Sequence, residues 1–77
     1  MGDNAQKIAV LSNNLIRYSE QEAQDGSYLN AVLILSQATN DVNKKGTEGV
    51  LSPEEASPIL NRLDRIKTQY VNEAKHA

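Results

Sequence analysis

The sequence predicts an all-α fold: a small three-helix antiparallel bundle running up, down and up. Three observations predict it. Apolar residues recur at helical spacing in three stretches, about 3–24, 28–45 and 53–75. Phe and Trp are absent and Thr is scarce, while Ala, Leu, Gln, Glu and Asn are plentiful, a composition that suits helices over strands. The connections are short, so successive helices must be antiparallel neighbours.

The first helix is expected over residues 3–24. Asp3 is placed to cap it, and Gln6 three residues on completes a capping-box pattern. Ile8, Leu11, Leu15 and Tyr18 form its apolar stripe, widened by Ala5, Ala9, Ile16 and Ala23. Val10 falls on the polar side. Asp25-Gly26-Ser27 then ends one helix and begins the next. Gly26 suits the left-handed position past a helix end, and Ser27 is expected to cap the second helix.

The second helix, about 28–45, holds the most apolar run of the chain, YLNAVLILSQATNDV. Tyr28, Ala31, Val32, Leu35, Ala38 and Val42 share one face. Leu29 and Leu33 lie on one shoulder and Ile34 on the other, an apolar arc wider than one neighbour needs. Lys44 and Lys45 suit the C-terminal dipole, and Gly46 is expected to stop the helix. In the loop that follows, Val50 and Leu51 should tuck back onto the bundle.

Ser52-Pro53-Glu54-Glu55 is the strongest local signal: cap, first-position proline, and a glutamate at the third position. Leu51 and Ala56 fit a hydrophobic staple across it. Pro58 then predicts a break or a kink in the third helix, because it removes a backbone donor and crowds the carbonyl of Glu54. The helix starts either at Pro53 or at Pro58. Beyond it Ile59, Leu63, Ile66, Tyr70 and Ala74 form a narrow stripe, and Lys75, His76 and Ala77 are expected to fray.

At 77 residues the chain makes one domain, 1–77, with a marginal core. It has no Cys for a disulfide staple, which is compatible with a reducing cytosol, and a cytoplasmic location is the expectation. No run is apolar enough to span a membrane, and no membrane partner is expected. The formal charge is −2, spread as about −2 over residues 1–26, +1 over 27–45 and −1 beyond. No segment carries the basic footprint of a nucleic-acid binder.

Chemistry finds few candidates. His76 is the only His and stands at the chain end, and no Cys is present, so neither a transition-metal site nor a Cys nucleophile can be assembled from this chain. Glu54 and Glu55 are explained by helix capping. Arg62, Arg65 and Lys67 read as a solvated face with Asp64 between them. Tyr18, Tyr28 and Tyr70 all fall on apolar stripes, as rim residues with buried rings and wet hydroxyls. No catalytic residue, metal or cofactor is expected.

The segment from Asp41 to Glu54 resembles the calcium loop of the EF-hand family. Asp41, Asn43 and Lys45 alternate and Gly46 stands sixth, as in that family. It departs where Lys45 puts a cation at a ligand position and where Ser52, rather than a Glu, stands twelfth. The resemblance implies an ion- or ligand-responsive helical module built on the 41–54 loop.

Against that stands the main expectation, a non-enzymatic protein–protein interaction module: a small adaptor, chaperone-like subunit or inhibitor. Its partner would be another protein or a second copy. The partner-binding candidates are Leu29, Leu33 and Ile34. Leu29 and Leu33 continue into Ser36 and Asn40, a line that starts apolar and turns polar. Either the third helix covers those two leucines or a second molecule does.

Overall fold

The structure is a computed structural model and describes residues 2–76. Three helices follow in order: α1 over Gly2–Gln24, α2 over Tyr28–Thr47 and α3 over Pro53–His76. They pack as the antiparallel up-down-up bundle. A 24-residue helix is about 36 Å long at about 1.5 Å per residue, which accounts for most of the 42 Å long axis; the other extents are 17 and 15 Å. Helix α2 is the central element and packs against both neighbours, while α1 and α3 touch each other least. The Arg62 guanidinium donates to Asn13 Oδ1 across that looser seam.

The core follows heptad-like spacing. Ala31, Leu35, Ala38 and Val42 come from α2, and Ala56, Leu63 and Tyr70 from α3. Helix α1 differs from the expectation. Its buried line is Ser12, Ile16 and Ser19, whereas Leu11 and Tyr18 are 61% and 60% exposed. The helix is turned about a quarter turn from the stripe its largest side chains suggest. Small residues, Ala5, Ser12, Ser19 and Ala23, let its backbone approach the bundle closely. The Ser19 hydroxyl is buried without loss because it donates to the carbonyl of Ile16 at 2.7 Å. Of the tyrosines, Tyr70 is buried, Tyr28 half-buried and Tyr18 out in solvent.

Both connections use one device. Gly26 has φ +86°; its N–H bonds to the carbonyl of Ala23 at 3.0 Å and that of Ser27 to Glu22 at 2.8 Å. Gly49 has φ +79°; its N–H bonds to Gly46 at 3.2 Å and that of Val50 to Lys45 at 2.9 Å. These are paired Schellman closures, which need a left-handed residue at that position. Gly46 therefore lies inside α2, and the stop falls three residues later than its sequence suggests. Ser27 accepts from the N–H of Ala31 through its carbonyl, but its side chain makes no cap. Asp3 lies within the first turn of α1 rather than ahead of it.

Helix α3 opens as expected. The N–H of Ser52 donates to Glu55 Oε1 at 2.9 Å, and the N–H of Glu55 donates to Ser52 Oγ at 3.2 Å. Leu51 and Ala56 are both buried in the same cluster, the staple across this cap. Starting at Pro53, α3 runs through Pro58 without a break. The lost bond would have gone to the carbonyl of Glu54, an exposed residue whose carbonyl solvent can reach. Ala56, Ile59, Leu60 and Leu63 hold both sides of the proline to the bundle. Helix continues to His76; Ala77, expected to fray, lies outside the described residues.

The hydrogen bond from the Ser52 backbone holds the Glu55 carboxyl below its ordinary pKa, aided by the Ser52 hydroxyl and opposed by desolvation. A depressed carboxylate pKa adds stability above the unfolded value, lost as pH falls through the folded one. Ser52→Ala is expected to cost about 1 kcal/mol at neutral pH through the lost hydroxyl cap, while the Ser52 backbone N–H, which Ala keeps, preserves most of the dependence on pH in the acid range. Thermal melts from neutral to acid pH check this; a variant that melts with the parent throughout removes Ser52 as the cap.

Candidate functional site: the outer face of the first two helices

Helix α2 presents its core stripe inward, so residues half a turn away must face outward. Leu29 and Leu33 occupy that position and are 75% and 60% exposed. The third helix does not cover them. Ile34 is half-buried at the flank toward α1. These three are the partner-binding candidates of the sequence; Leu29 and Leu33 lie on the free side of α2, and Ile34 at its flank.

Helix α1 extends this surface. A shallow groove along the α1–α2 seam is lined by Ile8, Leu11, Leu15, Ala38, Asp41, Val42 and Lys44, among others. That lining sets Leu11 near Asp41 and Leu15 near Ala38. Antiparallel pairing at the same register brings Tyr18 level with Ile34. Leu11, Leu15 and Tyr18 thus lie on the side of α1 next to the Ile34 flank of α2, whereas Leu29 lines a separate shallow patch with Tyr28, Asn30 and Ala74 of α3. Val10, also exposed, shares with Leu11 and Lys7 a second shallow patch at the start of α1.

Five large apolar side chains stand in water, against six buried ones and seven more that pack partly buried against the core. Val10, Leu11, Tyr18, Leu29 and Leu33 are exposed, against buried Ile16, Leu35, Val42, Leu51, Leu63 and Tyr70. Residues 26–40 carry no charged side chain, so the outer side of α2 lacks, up to Asp41, the charges that usually keep a helix face solvated. The sequence does not reveal Leu11 and Tyr18 as part of this face, because their spacing with Ile8 and Leu15 mimics a core stripe. The signal that identifies them is the second line of small residues, Ala5, Ser12, Ser19 and Ala23, which is a helix-packing surface only if the leucines face out.

The 41–54 segment does not form a loop. Asp41, Asn43 and Lys45 are on helical α2, and Lys45 instead pairs with Glu48 at 3.7 Å. Only residues 48–52 lie between helices, too few for a twelve-residue loop to wrap a cation. Among the described residues, no three His, Cys, Asp or Glu side chains group as a metal site. His76 is exposed at the end of α3. No described helix is long and apolar enough to cross a membrane.

Tyr70 is the one buried titratable group with a shifted pKa. Burial raises it, the charges of Glu20 and Glu73 raise it further, and the Ser19 hydroxyl beside it works the other way. Its role is in packing α1 against α3.

No protein-family model, no curated protein and no solved structure matches this chain.

Proposed function

We propose that the protein is a non-enzymatic protein–protein interaction module, and that the outer face of α1 and α2 is its docking surface. The observation that carries this reading is the exposure of Leu29 and Leu33 on α2 and of Leu11 and Tyr18 on α1. Each large apolar side chain left in water forgoes roughly 1.5–3 kcal/mol that full burial would supply. A chain of 77 residues has little core to spare, so leaving this many outside is costly unless a partner covers them. Leu29, Leu33 and Ile34 form the α2 half of the contact, and Leu11, Leu15 and Tyr18 the α1 half. An aromatic among leucines suits an interface centre. A cytoplasmic adaptor, chaperone-like subunit or inhibitor fits such a surface. No geometry favours the ion-responsive alternative.

The test places a photo-crosslinking residue at Tyr18, at Leu33 and, as control, at Arg65 on the outer side of α3, in the native cell. Protein adducts from positions 18 and 33, and not from 65, are the expected result. Equal yields from all three positions, or none from 18 and 33, would overturn the assignment of this face.

A further inference from the structure

We infer that helix α1 is a releasable strap: it lifts off as a unit about the turn at residues 25–27 while α2 and α3 stay paired. Unequal burial carries the inference. Ile16 is the one large apolar side chain of α1 that is buried, with Ile8 and Leu15 half-buried beside it. Helices α2 and α3 contribute Leu35, Val42, Leu63 and Tyr70 to the core, and buried Leu51 closes their connection. The α2–α3 seam is the most extensive of the three and the α1–α3 seam the least. Across that lesser seam the Arg62–Asn13 hydrogen bond lies exposed. Ala5, Ser12, Ser19 and Ala23 bring α1 close to its neighbours, but such short side chains remove little apolar area from water.

Local forces point the same way. Ser12-Asn13-Asn14 sets three weak helix formers at the middle of α1. Asp3 suits its first turn, but its last turn carries Glu22 and no cation, with Asp25 just beyond, against the helix dipole. By contrast α2 ends on Lys44 and Lys45, and α3 has its capping box at one end and Lys75 at the other. Off the bundle, α1 has little to keep it helical. The α2–α3 hairpin keeps its Gly49 closure and its Ser52–Glu55 cap, which involve no α1 residue. Supersecondary units of this kind open separately within native proteins. Release uncovers Ala38, Val42, Ile59, Ile66 and Tyr70, which line the seams with α1. It also parts Leu11 and Tyr18 from the Ile34 flank of α2, so opening competes with docking across both helices. The strap itself does not depend on that face having a partner.

Amide hydrogen exchange on the whole chain, followed residue by residue below the unfolding midpoint, tests this. Interior amides of α1 around Ile16 should share one level of protection, at least roughly tenfold below that around Leu35 and Leu63. Low urea should change α1 exchange little, because release exposes less surface than global unfolding. Leu60→Ala separates the two events. Leu60 is half-buried on α3, away from the α1 seam that Ile59, Arg62, Ile66 and Gln69 line. Its contacts persist while α1 is off. The variant should therefore speed exchange in α2 and α3 severalfold and leave α1 unchanged. Val32→Ala, a smaller truncation on the α3 side of α2, should do the same. Equal protection in all three helices would overturn the proposal, as would variants that speed all three alike. So would protection in α1 that only declines from its interior toward Gly2, which is end fraying and not release.

Discussion

Leu35→Ala is expected to lower stability by about 2–5 kcal/mol, and Leu33→Ala, two residues earlier, by no more than about 0.5 kcal/mol. Leu35 is fully buried at the centre of α2, between both neighbouring helices. Truncation removes its transfer free energy and leaves a cavity that a helical bundle fills only in part. At about 4–8 °C per kcal/mol for a domain of this size, the midpoint should fall by roughly 8–40 °C. Natural stability is only about 0.05–0.15 kcal/mol per residue, so this one change removes a large share of it. Leu33 has the same side chain on the same helix but stands 60% exposed. Melts by circular dichroism at dilute protein, where self-association adds nothing, check the pair. Equal losses would mean that α2 packs with a different face.

Tyr70→Ala is expected to cost about 3–5 kcal/mol, as for other buried aromatic truncations. Tyr70 fills the space where α3 meets α1 near Ser19, and it is among the largest core side chains. Tyr70→Phe isolates the hydroxyl. Burial first, then Glu20, holds the phenol above its ordinary pKa of 10.0. The folded state therefore favours the neutral form. That contribution is fully present below the unfolded pKa and is lost as pH rises through the folded one. Wild type should weaken on moving above pH 10, and Tyr70→Phe should weaken less over the same window. Urea midpoints on either side of that pH measure the difference. Identical slopes would show that some other group governs alkaline unfolding.

Much of the fold is legible in the sequence because it is set by neighbours along the chain. Three amphipathic stretches, the left-handed Gly26 and the Ser52–Glu55 cap depend on contacts within a few residues, and each forms as expected. Leu51, between a loop and a cap, is equally local, and its place at the staple follows from its position before Ser52.

Other features depend on competition between distant elements, and there the sequence is silent. Gly46 and Gly49 are both able to end α2. The choice falls on Gly49 because the Val50 and Leu51 amides then return to Lys45 while Leu51 reaches the core. Pro58 breaks an isolated helix; here apolar residues on both sides bind its helix to the bundle and outweigh one lost hydrogen bond. The rotation of α1 is the largest such decision. Two faces compete on that helix, a bulky one with Leu11 and Tyr18 and a small one with Ser12 and Ser19. Hydrophobicity alone selects the bulky face. Close packing against α2 and α3, with the buried Ser19 hydroxyl satisfied by its own helix, selects the small one. The candidate site follows from that choice. Leu29, Leu33 and Ile34 are marked by the excess width of the α2 apolar arc, whereas Leu11 and Tyr18 join them only once tertiary packing has turned α1.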